Sequence, residues 1–189
     1  MNENITTIEI LGNRPIYALG NTDLLEETLI SVSGARKITP QSASWLEEVV
    51  SKSKAPIVSG LAIGTDTIAH ETAIANNVPT IAVLPSGLKK ITPYRNSGLA
   101  RRIVKEGGLL LSEYPGLNGP TRSSYIERNE IIAKLGKYLI VPQFESRSGT
   151  RHTVDFAQEN NKFIFVQDAN YSGNQEIIGR DDYKTVILD

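Results

Sequence analysis

The stretch Pro56-Ile57-Val58-Ser59-Gly60-Leu61-Ala62-Ile63-Gly64-Thr65-Asp66-Thr67-Ile68-Ala69-His70 decides how the rest of the chain is read. A short apolar run meets a Gly-rich loop, and a helical segment expected over 65–77 follows. Runs of the same kind recur at 29–32, 80–84, 109–111, 138–141 and 163–166. They are short, nearly all apolar, and lack clean alternation, which suits strands buried on both faces. Helix-length segments lie between them. Trp45, Leu46, Val49 and Val50 form one stripe, Leu99 and Ile103 a second, and Tyr125, Ile132 and Leu135 a third. A further helix is expected over 150–161. Strand followed by helix, repeated, predicts an α/β fold: a Rossmann-like, doubly wound, mostly parallel sheet with helices on both faces.

One domain is expected over residues 1–189. Residues 1–27 read as an N-terminal extension with one possible strand and a turn-rich Gly12-Asn13-Arg14-Pro15. Residues 168–189 read as a C-terminal edge segment, with Asn170-Tyr171-Ser172-Gly173-Asn174 and an added edge strand at 185–188. The chain has no Cys, which excludes disulfides, iron–sulfur clusters and cysteine-based zinc sites. Met1-Asn2-Glu3-Asn4 opens no basic-then-apolar leader, and no apolar run approaches the ~20 residues of a membrane span. A cytoplasmic protein with no membrane partner is expected.

The formal net charge of −1 argues by itself against a surface coated for nucleic acid. Its distribution is uneven. Residues 1–27 hold one basic and five acidic residues, and residues 168–189 hold two and five. The 140 residues between them keep 17 basic and 11 acidic, a surplus of six positive charges. Local clusters matter more than the total, because salt screens charges beyond about 8–10 Å.

Ligands of open parallel sheets bind beyond the carboxyl ends of the strands. Small and basic residues recur there: Ser33-Gly34-Ala35-Arg36-Lys37, Ser59-Gly60 with Gly64 and Asp66, Pro85-Ser86-Gly87-Leu88-Lys89-Lys90, and Arg147-Ser148-Gly149-Thr150-Arg151. Glycine lets a backbone approach an anion closely, and free N–H groups at a helix start bind it. Ser59-Gly60 and Ser148-Gly149-Thr150 both fit, with Arg36, Lys89, Lys90, Arg95, Arg122, Arg128, Arg147 and Arg151 supplying charge. The same Ser, Thr and Gly residues also serve as ordinary turn and cap residues, and both readings stand. Asp66 either faces a ligand or satisfies the helix start, while His70, one turn on, is read as packing against the sheet. Arg128-Asn129 suits phosphate and base-edge hydrogen bonding, or a solvated face beside Glu127 and Glu130. The motifs G-x-x-x-x-G-K-S/T, G-x-G-x-x-G and G-x-S-x-G are absent, and His70 and His152 have no metal spacing. No catalytic residue, metal or cofactor is assigned.

Ser59 to His70 resembles the S-G-x-A-x-G-x-D-x-x-A-H segment of the DNA-processing protein A family, DprA or Smf. Further pieces follow the family's order. Val32-Ser33-Gly34-Ala35-Arg36 resembles V-G-x-R. Thr80 to Leu88 resembles T-I-A-V-L-x-x-G-L, and Gly108 to Pro115 resembles G-x-x-x-S-E-x-P. Arg128 to Leu135 resembles R-N-R-x-I-A-x-L. Ser148-Gly149-Thr150, with Thr153 and Ala157, resembles the S-G-T/S-x-x-T-A end. Tyr17 to Leu25 resembles the family's lead-in. The likeness runs from about residue 15 to 167. It implies a Rossmann-like domain that binds single-stranded DNA without catalysis. The implied role is DNA processing and natural transformation, loading a RecA-type recombinase, with a homodimer as a possible assembly. By position, Arg36, Ser59, Gly60, Arg128 and Asn129 would contact DNA, and Lys89 or Lys90 would extend the groove.

The chain departs from the pattern at Ile63, where the family carries Arg, and at Glu130, the second Arg of R-N-R. Val141-Pro142-Gln143 replaces V-E-x, with Glu145 displaced. Two absent cations should weaken phosphate binding, and each missing phosphate partner should flatten the salt slope by about 0.7. Tyr94, Tyr114, Tyr125 and Phe144 are the candidate stacking platforms. The alternative is a small-nucleotide sensor, or a nucleoside-monophosphate hydrolase related to lysine-decarboxylase-like proteins. That family's P-G-G-x-G-T-x-x-E string is only faintly echoed, since Thr153 stands where the Glu would be. A pure interaction module, with a dimer face near the last strands, is the third reading.

Overall fold

A computed structural model describes residues 5–10, 12 and 14–188. Met1 to Asn4, and Asn13 of the turn-rich stretch, lie outside these. The chain enters through an antiparallel hairpin, β1 (Thr6–Glu9) and β2 (Pro15–Gly20). After a 3-10 turn over Thr22–Glu26, strands and helices alternate. They are β3 (Ile30–Val32), α1 (Pro40–Ser51), β4 (Ile57–Ser59), α2 (Thr65–Ala75), β5 (Thr80–Leu84) and α3 (Ser97–Lys105). The second half continues with β6 (Leu109–Ser112), α4 (Arg122–Leu135), β7 (Tyr138–Val141), α5 (Thr150–Glu159), β8 (Phe163–Gln167), α6 (Ser172–Ile178) and β9 (Thr185–Leu188).

Among the described residues nine strands join one sheet in the order β1-β2-β6-β5-β4-β3-β7-β8-β9. From β6 to β9 every pairing is parallel, and only β1–β2 and β2–β6 are antiparallel. The apolar runs lack alternation because both faces are covered. Ile81 and Val83 of β5 pack toward Ile131 and Ile132 of α4. Ala82 and Leu84 of the same strand pack toward Leu99, Ala100 and Ile103 of α3. Helices α1 and α2 cover Val32, Ile57 and Ile140, and α5 and α6 cover Leu139, Val141, Ile164 and Val166. The doubly wound arrangement expected from the sequence is present.

The two ends differ from expectation. Residues 1–27 supply two strands, not one. Pro15 opens β2, a position where its missing N–H costs no interior ladder bond. The turn-like Asn170–Asn174 leads into a helix, because fully buried Asn174 accepts the Phe144 N–H and donates to the Pro142 and Gln167 carbonyls. The final run does form an edge strand, parallel to β8. Among the described residues no helix is long and apolar enough to cross a membrane.

Candidate functional site

Connections run β3-β4-β5-β6 in one direction from β3, and β7-β8-β9 in the other. The switch point lies between β3 and β7. Chain segments leaving adjacent strands diverge there and open a crevice. A cavity of about 600 Å³ occupies it. Ser33 to Lys37 leave β3 on one side, and Gln143 to Thr150 leave β7 on the other. The two segments are tied across the gap by the Ala35 N–H on the Gln143 carbonyl at 2.8 Å. The Ala35 carbonyl accepts both the N–H and the hydroxyl of Thr65, which anchors the start of α2 to the same loop.

Arg128 and Asp66 form the inner wall. Their side chains are 8% and 9% exposed and meet at 3.3 Å. Asp66 also accepts the Ala62 N–H at 3.1 Å, so it holds the loop before its own helix. Asp66 thus lines the cavity and ties down the loop before its helix, but it does not cap α2, whose start has no side-chain cap. Gly60 makes the pair possible. A Cβ there would sit 1.4 Å from Arg128 Nη1 and 2.4 Å from Asp66 Oδ2. Gly64, at φ +86°, turns the chain into α2 while its Cα lies against the Arg36 carbonyl, which a Cβ would meet at 2.4 Å.

The Nε of Arg128 and the Oγ of Ser148 are buried and have no hydrogen-bond partner among the described residues. Buried polar groups are nearly always paired, so these two atoms at the cavity's edge are donors for water or a polar ligand held there. The start of α5 points there as well. No side chain caps it, and Asn129 donates to the Gly149 carbonyl at 3.1 Å, which fixes the loop beside Thr150. Exposed Arg36 and Lys37 edge the cavity without an ion-pair partner among the described residues. The Arg36 guanidinium lies 5.7 Å from the centre of the Tyr125 ring, in cation–π contact. Uncapped N–H groups, a helix dipole and free guanidinium and ammonium groups together suit an anion.

Of the residues singled out from sequence, Gly34, Arg36, Asp66, Arg128, Asn129, Ser148, Gly149 and Thr150 line this cavity. Ser59 does not. It is fully buried, and its hydroxyl donates to the Val32 carbonyl at 2.8 Å, joining β4 to β3. Gly60 and Gly64 act from beneath, as spacers. Lys89 and Lys90 are exposed on the loop after β5, outside the lining. Arg151 drops out of the set of free cations, because it binds Asp155 at 2.8 Å and Glu176 at 2.6 Å. Phe144 is fully buried in the core and offers no platform. Tyr114 is half-buried with its hydroxyl on Glu127, a contact that pushes its pKa up to about 12. His70 packs as expected, with Nε2 on the Gly60 carbonyl, Nδ1 2.7 Å from the Thr80 hydroxyl, and a pKa lowered by burial. Ser33, Ala35, Lys37, Ala62, Tyr125, Gln143 and Glu145 also line the cavity and were not among the predicted site residues; Lys37 and Glu145 are the charged ones and Tyr125 the aromatic. Tyr125 precedes Arg128 and Asn129 by three and four residues, and that helical spacing was the available signal.

The two departures part company. Ile63 stands on the rim, 45% exposed. Glu130 points to the other side of α4, where it pairs with Arg14 at 3.0 Å and Lys134 at 2.6 Å. Its acid does not face the cavity.

The family model for DNA recombination-mediator protein A matches residues 8–182. Protein Smf of a Synechocystis species is 37% identical over 157 residues, which is 79% of this chain and 39% of that protein. The DNA processing protein DprA of Streptococcus pneumoniae is 37% identical over 153 residues, 80% of this chain and 54% of that protein. This chain thus spans about half the length, or less, of these curated relatives. A structure of DNA processing protein A from Helicobacter pylori, solved for its single-stranded DNA binding mode, superposes with a TM-score of 0.88 at 28% identity. The superposition covers 97% of this chain and 91% of that one. With its sequence matched almost from end to end and its sheet superposing on that structure, the chain belongs to the DNA recombination-mediator protein A family.

Proposed function

We propose that residues 1–189 form one domain that binds single-stranded DNA at the switch-point cavity, as the DNA-holding part of a recombination mediator. One observation carries the reading: an unpartnered guanidinium nitrogen, an unpartnered hydroxyl and an uncapped helix start converge on a cavity edged by free Arg36 and Lys37. A backbone phosphate fits that donor set, with Arg36 and Lys37 supplying charge, Arg128 and Ser148 hydrogen bonds, and the start of α5 its amides. Asn129 positions Gly149, and Lys89 and Lys90, exposed on the loop after β5, would extend the groove. The domain acts by holding the strand and catalyses no reaction on it. A RecA-type recombinase and a second copy of the chain are the proposed protein partners, and the cytoplasm is the proposed setting.

The nucleotide-hydrolase alternative has less behind it. Thr153, at the position where those enzymes carry a Glu, is fully buried and 3.2 Å from the Ser33 hydroxyl. The deciding experiment compares an oligothymidylate, a duplex and nucleoside mono- and diphosphates, by fluorescence anisotropy and competition, at about 50 and 200 mM salt, a range over which phosphate-dominated binding falls steeply. Single strands should bind best and weaken with salt. Folded protein that retains no single strand at the lower salt, or that binds only nucleotides, overturns the reading.

A further inference from the structure

Most helices of this chain answer their cations locally. Lys52 pairs with Glu48 at the end of α1, Lys134 with Glu130 on α4, Arg151 with Asp155 on α5, and Arg180 with Glu176 at the end of α6. Helix α3 is different. Its nine residues carry Arg101, Arg102 and Lys105 and no acid. All three are exposed, and none has an ion-pair partner among the described residues. The 3-10 turn over Tyr94–Asn96 runs directly into this helix. Tyr94 and Arg95 therefore continue a stripe that Gly98, Arg101, Arg102 and Lys105 make at spacings of three and four. Tyr94 is 89% exposed. A Cβ at Gly98 would touch nothing, so packing does not call for a glycine that weakens the helix. The helix dipole accounts for Arg102 and Lys105, which lie in the last turn. It does not account for Arg101, one turn from the like charge of Lys105, nor for the glycine.

We propose that the outer face of α3 is a second phosphate-binding surface, a track for the backbone of the strand after it leaves the switch-point cavity. The inference rests on the single-strand reading above and extends it to a surface the cavity does not include. The two are continuous. Thr92 and Pro93 share a recess of about 100 Å³ with Arg36 and Arg128, which also line the cavity. Tyr94 is the next residue, so the stripe begins where that recess ends. From Ser97 to Lys105 the helix then runs about 12 Å, away from the carboxyl ends of the strands. The chemistry of the face selects a polyanion. Leu99, Ala100 and Ile103 are turned into the sheet, and the exposed face of α3 keeps no large apolar side chain. It therefore lacks the apolar centre of a protein interface and the apolar side of a membrane-surface helix. Gly98 leaves room for a backbone to pass close to the helix. Arg101, Arg102 and Lys105 then meet phosphates without reading sequence.

The test uses the full chain and two oligothymidylates, one of about 6 and one of about 20 nucleotides, toward the short end and beyond the long end of single-strand site sizes. Arg101→Ala combined with Arg102→Ala removes two exposed side chains, and thermal unfolding should confirm that the fold is kept. The double variant should weaken the longer strand about tenfold or more at about 50 mM salt and flatten its salt slope by about 1.4, two phosphate contacts. The shorter strand, held in the cavity, should bind as before. The longer strand should also protect Lys105 from acetylation, read by mass spectrometry, and the shorter one should not. If the double variant weakens neither strand, or both alike, the track is overturned while the single-strand reading survives. If it changes only self-association, the face belongs to a second copy and the proposal fails. If neither strand binds the natural chain, the single-strand reading fails and takes the track with it.

Discussion

Helix α4 presents two sides to the molecule, and they are finished differently. Toward the switch point it offers Tyr125, Arg128 and Asn129, and the Arg128 Nε is left without a partner among the described residues. Toward the N-terminal hairpin it offers Glu130 and Lys134, which pair at 2.6 Å. Arg14 closes that side by binding Glu130 at 3.0 Å and Glu113 at 3.1 Å. The same helix carries an open set of donors and a closed ion-pair network. What separates them is not charge content but whether every polar atom is already answered. Glu130 is bonded through both carboxylate oxygens, whereas Arg128, though paired with Asp66, keeps an Nε facing the cavity that is unpartnered among the described residues.

The largest expected effect comes from breaking the open side at its root. Arg128→Ala strips the partner from an almost buried carboxylate, and removing one member of such a pair costs about 3–5 kcal/mol. Denaturant unfolding should show this destabilisation, and Asp66→Asn added to Arg128→Ala should restore part of the stability without restoring binding. A double variant no more stable than the single one would mean that Asp66 is not the stranded group. Arg36→Ala comes next. It removes an exposed side chain, so stability should move by no more than about 0.5 kcal/mol. Single-strand affinity should fall about tenfold, the lower part of what a hydrogen bond to a charged group contributes, and the salt slope should flatten by about 0.7. An unchanged slope would remove Arg36 from phosphate contact.

A pH experiment reaches beneath the site. Burial lowers the His70 pKa, so the folded chain binds this proton less readily than the unfolded chain. Stability from this group is fully present above the unfolded value, about 6.5, and is lost as pH falls from there toward the folded value. One proton gives a slope of at most about 1.4 kcal/mol per pH unit. Thermal unfolding followed from about one pH unit above that unfolded value to about one below it should show that sense, and His70→Gln should remove this group's share of the slope. The smallest effect belongs to the closed side. Glu130→Gln should cost no more than about 1 kcal/mol, because the network is partly exposed, and should leave DNA binding unchanged. Glu130→Arg, which returns the residue of the resembled pattern, should give no gain in affinity. A clear gain would show that the two sides of the helix are not separate.

The central strands were legible because burial on both faces leaves nearly uninterrupted apolar runs. The hairpin strand β2 was less so, since Pro15, Ala18 and Gly20 interrupt its apolar pattern. Helix α6 was illegible for another reason. Its first residues, Ser172, Gly173 and Asn174, favour turns, and the bonds that hold it run from Asn174 to Pro142 and Phe144, far back in the chain. The rim was predictable from strand ends alone, and most of the cavity lining follows from it. Which cations remain free was not predictable. Arg128 is taken by Asp66 and Arg151 by Glu176, pairings far apart in sequence, and only the Arg151–Asp155 pair follows a helical i,i+4 spacing. Phe144 was misjudged because a loop aromatic beside a ligand rim and a loop aromatic turned into the core look alike until α6 covers it.

The register at the sheet's centre bears on how the protein comes into being. Ile30 of β3 is paired with Tyr138 of β7, while Ile57 of β4, the neighbour on β3's other side, follows soon after in the chain. The two walls of the cavity therefore lie on opposite sides of the most distant closure in the parallel sheet, and closures of that kind are slow to form. A chain emerging from the ribosome completes β3, β4, β5 and β6 before either β7 or the start of α5 exists. The cavity's lining is therefore completed late, once residues beyond Thr150 have been made and docked.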